Sequence, residues 1–243
     1  MARRRFFVPE VRRDSAELTG SDAEHLVRVL RAEVGQVYEI SDNRNLYLAE
    51  IETARKSLVS FRVLEQLTPP APAAAVHLYP ALFKFDRFEW MIEKATELGV
   101  TSIRPFEAAR SERGLAEAAR KRMTRWERIA LEASQQSRRS HLPEIHAVAP
   151  LKAVLEAEPA IRFLLDEETS APPILAVIES LPHSQSADDA IAIMAGPEGG
   201  WTEEEKTRLT TAGWRACSLG STILRAETAA IAALSVVNAV WRR

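Results

Sequence analysis

Apolar residues recur along the chain in two rhythms, and the change between them falls near residue 70. Before that point they come in short runs, so that residues 5–9, 36–41, 46–53 and 58–64 read as strands, with Asp42-Asn43-Arg44-Asn45 as one of the polar turns between them. One helix interrupts this series: Ser21 and Glu24 have capping-box spacing, Leu26, Val29 and Leu30 follow at helical period, and Gly35 lies near the expected stop. A small β-barrel with one helix is the simplest arrangement. After residue 75 the pattern alternates. Strands are expected at 76–82, 100–106, 161–165, 191–195 and 216–219, and helices at 86–98, 115–138, 172–180, 203–211 and 226–241. Asp86 and Glu89 would open the first of these helices and Gly99 close it. Alternation of this kind predicts an α/β domain, a mostly parallel sheet covered by helices. The uncharged segment 67–75, with its three prolines, reads as a stiff connector, which sets the domains at 1–70 and 71–243.

Composition narrows the class. A chain of 243 residues, 46% hydrophobic and 27% charged, can bury a sizeable core and is not a disordered composition. The single Cys217 excludes an intrachain disulfide, no zinc-ligand spacing occurs, and a reducing cytoplasm is expected. The N-terminal stretch is basic without the apolar run of a secretory signal, and the apolar segment 229–241 is too short to span a membrane. Charge is polarised. Residues 1–149 carry 24 Lys/Arg against 21 Asp/Glu, and 150–243 carry 8 against 13, which fits one region gripping an anionic partner while another does chemistry.

Five of the nine glycines lie between 196 and 220, a stretch that holds two strand-to-helix junctions. Gly196-Pro197-Glu198-Gly199-Gly200 leaves one strand and leads into the helix begun by Thr202 and Glu205. Leu219-Gly220-Ser221 leaves another and runs through Ile223, Leu224 and Arg225 into the last helix, whose first turn holds Thr228 and Ala229. Ligands of open α/β sheets bind beyond the C-terminal strand ends, where glycine lets backbone polar groups approach. Leu165, ending the strand 161–165, joins the same set. An apolar wall beside backbone polar groups suits an adenine ring; ordinary core packing of Ile223 and Leu224 is the competing reading. There is no phosphate-binding G-x-x-x-x-G-K-[ST] and no G-x-G-x-x-G after the first strand, which disfavours ATP hydrolysis and dinucleotide redox chemistry.

GPEGG at 196–200 with LGSTILRAETA at 219–229 resembles the C-terminal signature of SPOUT methyltransferases, specifically the RsmE-type ribosomal RNA uridine N3-methyltransferases. Arg5-Phe6-Phe7-Val8, His25-Leu26 with Val29-Leu30-Arg31, the segment 94–100 and Glu132-Ala133 with Gln136-Ser137-Arg138 resemble the same family in the same order. Ser221 stands where relatives often carry a basic residue. The resemblance implies an N-terminal PUA-like barrel and a C-terminal SPOUT-type, trefoil-knotted sheet with helices on both faces. It also implies S-adenosylmethionine held bent in the knotted loops, a homodimer, and small-subunit ribosomal RNA, in the assembled subunit, as substrate. The apolar face of Ile231, Leu234, Val237 and Trp241 is compatible with a dimer interface and equally with burial inside one chain.

Residues 110–139 hold nine Lys/Arg and four Asp/Glu, and the first thirteen hold five Arg and one Glu, excesses of the kind that phosphate neutralisation requires. Arg4, Arg5, Arg28, Arg31, Arg110 and Arg138 adjoin the family-like motifs and are the candidate RNA contacts; a solvated helix face is the plainer explanation of each. The scattered histidines suggest no catalytic set, and His25 reads as a surface residue. Methyl transfer to a uracil N3 needs the N3 proton removed and the anion stabilised. Arg225 is the candidate cation, with a salt bridge to Glu227 as its alternative role. Glu198 and Glu227 are the carboxylates near the loops that could accept a proton, or could serve the loop and the helix dipole. A ribose 2′-O-methyltransferase, or an RNA-binding assembly protein without catalysis, are the competing functions.

Overall fold

Alternation of inward apolar and outward polar side chains builds the first of two compact units in the computed structural model, which describes residues 4–69, 74–155, 161–168, 170–181 and 189–241. Residues 70–73 of the expected proline-rich connector lie outside the described residues. The first unit comprises residues 1–71 together with 131–142. Its strands are β1 (Arg5–Phe7), β2 (Val11–Arg12), β3 (Ser15–Thr19), β4 (Val37–Ser41), β5 (Leu46–Arg55) and β6 (Leu58–Leu67), in sheet order β1-β4-β5-β6-β3-β2. Ala16 and Leu18 of β3, Ile40 of β4, Ala49 and Ile51 of β5, and Val59 and Phe61 of β6 point into one core. Register shifts at Leu48/Ala49 and Ile51/Thr53 break the long β5–β6 ladder, and such bulges bend and twist a sheet toward closure.

Two sequence expectations change here. β2 and β3 were not foreseen, because Ser15–Thr19 offers only two apolar side chains. The capping box at Ser21 does not form: α1 (Gly20–Glu24) has Thr19 as its N-cap, two residues earlier, and Glu24 instead pairs with Arg28 at 2.6 Å. The helix then widens into a π-helical turn over His25–Val29 and stops by Arg31, whose φ is +52°, well before Gly35. Gly35 has a φ of +87° and donates its N–H to the carbonyl of Ile51.

Arg5 is 9% exposed, and its guanidinium is fully engaged. Nε and Nη2 donate to Glu39 Oε2 at 3.0 and 2.7 Å, and Nη1 donates to the carbonyl of Arg138 at 2.5 Å. Ser41 Oγ donates to the carbonyl of Ser140, and Leu142 donates its N–H to Asn43 Oδ1, both at 2.7 Å. These bonds stitch residues 138–142 to the barrel strands. Arg5 is therefore removed from the set of arginines open to an RNA.

The second unit comprises 72–130 and 143–243. Its strands β7 (Ala75–Pro80), β8 (Ser102–Ile103), β10 (Glu144–Ile145), β12 (Ile161–Leu165), β13 (Ala190–Ala195) and β14 (Arg215–Cys217) form a sheet of order β10-β8-β7-β13-β12-β14, parallel throughout. β9 (Phe106–Glu107) pairs separately with β11 (Ala149–Pro150). Both faces of the sheet are apolar, as a helix-covered parallel sheet requires. Val76, Leu78, Phe163, Leu165, Ile191 and Ile193 face one core with α2 (Phe85–Glu97) and α8 (Ala226–Trp241). Tyr79, Leu164, Ala192 and Met194 face another, with Val154 of α5 (Leu151–Leu155) and Leu209 of α7 (Glu203–Thr211). α6 (Ile174–Glu179) joins the first face.

The expected strand 100–106 divides at Arg104-Pro105, since proline has no N–H for the ladder, into β8 and β9. The expected helix 115–138 divides into α3 (Leu115–Arg120) and α4 (Met123–Ser137), where Lys121 and Arg122 bond back three residues instead of four. α2 starts without a side-chain cap, and Glu89, expected near its opening, is 8% exposed and held by Arg122 and Arg125 at 2.8 Å each. Leu234, Val237 and Trp241 are buried within the chain, with Ile231 half-buried, so burial inside the fold accounts for that face of α8.

Arg5→Ala is expected to cost about 2 kcal/mol, because it strands a half-buried Glu39 and the Arg138 carbonyl. Denaturant unfolding should register that loss, and hydrogen exchange should rise across residues 138–142, whereas Arg4→Ala should change neither.

Candidate functional site

β12, β13 and β14 lie side by side and parallel, so their C-terminal ends at Leu165, Ala195 and Cys217 open on one edge of the sheet. A cavity of about 290 Å³ lies there, near the lower end of the size range of small-molecule sites. Gly196, Pro197, Glu198 and Gly200 form one wall. Leu219, Gly220, Ile223, Leu224 and Arg225 form another, with Leu165 and Ala229 completing the set expected from the sequence. Ile223 is 78% exposed and Leu224 half-buried, so Ile223 is not a core residue but an apolar side chain at the cavity. The remaining candidates do not line it: Gly199 faces Arg110, and Ser221 and Thr228 are exposed outside the lining.

Asp166, Glu167, Trp201, Cys217, Thr222 and Ala226 also line the cavity and escaped the sequence reading. Asp166 and Glu167 directly follow a strand end, so the rule that pointed to Gly196 applied to them as well. Trp201 was hidden because its role depends on long-range contacts. Its Nε1 donates to the carbonyl of Leu165 at 3.0 Å, its ring stacks on Phe106 at 6.1 Å with an interplanar angle of 7°, and a Cβ at Gly196 would lie 2.8 Å from Nε1. Cys217 is inert, since burial, reinforced by the charge of Asp166, pushes its thiol up to about 12.

The loop 196–202 is fixed from several sides. Thr202 Oγ1 accepts the N–H of Glu205 at 3.2 Å while Glu205 Oε2 accepts the N–H of Thr202 at 3.0 Å, a reciprocal capping box at the start of α7. Glu205 Oε1 accepts the N–H of Ala109 at 2.7 Å, and Arg110 Nη1 donates to the carbonyls of Gly199 and Trp201 at 3.0 and 3.1 Å. Arg110, expected to meet RNA, thus holds the glycine loop. Arg87 of α2 pairs with Glu198 and lies 3.8 Å from Glu227 Oε1, so one guanidinium joins the glycine loop to the first turn of α8. Glu227 is 6% exposed, and its Oε2 has no hydrogen-bond partner among the described residues. Arg225 makes no ion pair among the described residues; the partner of Glu227 is Arg87.

The other basic candidates lie apart from the cavity lining. Arg4, Arg28 and Arg31 are exposed on the first unit, with Arg28 paired to Glu24, and Arg138 is exposed at a φ of +56°. Among the described residues no helix is long and apolar enough to cross a membrane, and no group of three or more His, Cys, Asp or Glu could hold a metal ion.

Residues 69–238 match the RNA methyltransferase domain family and residues 18–64 match the RNA methyltransferase PUA domain family. The chain is 34% identical over 226 residues to ribosomal RNA small subunit methyltransferase E of Bacillus subtilis, covering 91% of this chain and 88% of that one. It belongs to the ribosomal RNA small subunit methyltransferase E family. The relative of that name from Synechocystis is 32% identical across 99% of this chain and 78% of its own. The crystal structure of the Neisseria gonorrhoeae member, bound to S-adenosyl methionine, superposes with a TM-score of 0.87 at 28% identity over 98% of each chain. The architecture is accordingly a helix-covered parallel sheet of the RNA methyltransferase domain family, preceded by the PUA-type barrel that the sequence motifs implied.

In this family member the tight fit of Gly196 against Trp201 makes position 196 a sensitive one. Gly196→Ala is expected to displace the indole and cost about 1–3 kcal/mol, the range for overpacking a filled site. Denaturant unfolding would measure it. Cys217 should resist thiol alkylation in the folded protein and react only on unfolding, which mass spectrometry after timed labelling would read.

Proposed function

We propose that this chain binds S-adenosylmethionine in the cavity beyond β12, β13 and β14 and methylates N3 of a uridine in small-subunit ribosomal RNA, in the assembled subunit. The observation that carries the reading is the cavity itself, with glycine backbone on one side, the Ile223-Leu224 wall on the other and, in its lining, an Arg225 that makes no ion pair among the described residues. Such a slot fits a flat adenine ring and a polar tail. The cofactor-bound Neisseria relative, alike in fold over nearly the whole chain, supports it.

When bound, S-adenosylmethionine supplies an electrophilic methyl group on a sulfonium. The chain's own work is to orient the uracil and govern its proton, because holding nucleophile and methyl in line lowers much of the barrier. We assign Arg225 to the uracil anion, where a planar guanidinium can donate to a carbonyl oxygen as negative charge develops. Glu198, in the lining and oriented by Arg87, is the carboxylate assigned to accept the N3 proton. Glu227, buried and outside the lining, helps hold Arg87 in place. Residues 1–70 act in this reading as the RNA-gripping domain through Arg4, Arg28 and Arg31, and 71–243 as the knotted methyltransferase domain of a cytoplasmic homodimer.

Arg225→Ala is expected to lower the single-turnover rate at saturating cofactor and RNA on the order of a hundredfold, the usual cost of one lost charge-stabilising donor. Arg225→Lys should recover part of it, since a point charge lacks the planar fork. Nucleoside mass spectrometry of the product should show N3-methyluridine; a methyl group on the ribose, or a near-normal rate for the alanine variant, would reject the respective assignment.

A further inference from the structure

We propose that Glu167 is the residue by which the cavity tells a cationic sulfonium cofactor from its neutral thioether product. This deepens the S-adenosylmethionine reading and rests on it. Four charged side chains line the cavity: Asp166, Glu167, Glu198 and Arg225. Two of the three carboxylates already have a cation partner, although Lys206 is shared with Glu168 and Arg87 with Glu227. Asp166, with a side chain 7% exposed, meets Lys206 Nζ at 3.1 Å, and Glu198 is paired with Arg87. Glu167 makes no hydrogen bond or ion pair among the described residues, which leaves it as the carboxylate of the lining open to a cation on a ligand.

It lies against the glycine loop: Gly200 has a φ of +71°, and a Cβ there would lie 2.9 Å from Glu167 Oε1. Arg110 Nη1 lies 3.9 Å from that same Cβ position, but it donates to the carbonyls of Gly199 and Trp201 and forms no ion pair with Glu167. The apolar side chains of Leu165, Leu219 and Leu224 line the same space, while Glu167 itself is exposed, so solvent moderates the pull of its charge.

Methyl transfer breaks the bond between the methyl carbon and sulfur and leaves the bonding pair on sulfur, while a new bond joins that carbon to the substrate. The product is therefore one positive charge short of the cofactor, with the same adenosine, ammonium and carboxylate groups. A lone carboxylate near the sulfur attracts the first and not the second. Glu167 in this way favours exchange of spent product for fresh cofactor.

The test is calorimetric titration of the full chain and of Glu167→Gln with S-adenosylmethionine, S-adenosylhomocysteine and sinefungin, an analogue that bears an amine cation at the place of the sulfonium. Glu167→Gln should weaken S-adenosylmethionine and sinefungin roughly fivefold, the upper size of one partly exposed ion pair, and leave S-adenosylhomocysteine unchanged. Glu167→Asp should keep part of the preference. Added salt should erode the preference in the parent chain more than in Glu167→Gln. Equal weakening of all three ligands would mean a contact to their shared ammonium or support of the loop, and would overturn the inference, as would no change at all. Failure of the parent chain to bind any of the three would instead reject the cofactor reading on which the inference stands.

Discussion

The indole of Trp201 occupies the space that a side chain at Gly196 would need and donates its N–H to the carbonyl of Leu165. That contact ties the loop after β13 to the end of β12, and the stack on Phe106 carries the connection to a third segment. Burying a large aromatic side chain is worth about 2–3 kcal/mol before its hydrogen bond is counted, so the arrangement is not easily undone. The rest of the site follows from it. With Trp201 anchored, Thr202 and Glu205 cap α7, Arg110 reaches the loop carbonyls, and Glu198 is set where Arg87 can hold it. A binding loop fixed before its ligand arrives loses little conformational entropy on binding.

The arginines of this chain divide by the partners they meet. Arg5, Arg87, Arg110, Arg122 and Arg125 satisfy carboxylates or carbonyls within their own compact unit. A buried or half-buried carboxylate needs such a partner, because desolvation without one is costly. Arg4, Arg31 and Arg225 are exposed and make no ion pair among the described residues. Cations of this second kind offer undiminished charge to a phosphate or to a developing uracil anion, whereas Arg28 shares its charge with Glu24 on the barrel surface. The basic run at 110–139 is therefore a poorer guide to RNA contacts than its composition implied.

Sequence by itself determined the order and type of most elements, because a two-residue or 3.6-residue apolar period follows from backbone geometry alone. α7 at Glu203–Thr211, α8 at Ala226–Trp241 and β12 at Ile161–Leu165 fall at the expected limits. It also located the two glycine-bearing loops of the cavity, since glycine clustering at strand ends is a local signal. Tertiary structure decided the partners. Trp201, Arg87 and the burial of Arg5 depend on residues that are neighbours in space and distant along the chain, and no periodicity encodes such pairs. The same holds for Glu167, which lacks the cation partner that Lys206 and Arg87 give to Asp166 and Glu198 beside it. Whether a given side chain is a free charge or half of a pair is settled by packing, and packing is a property of the folded chain.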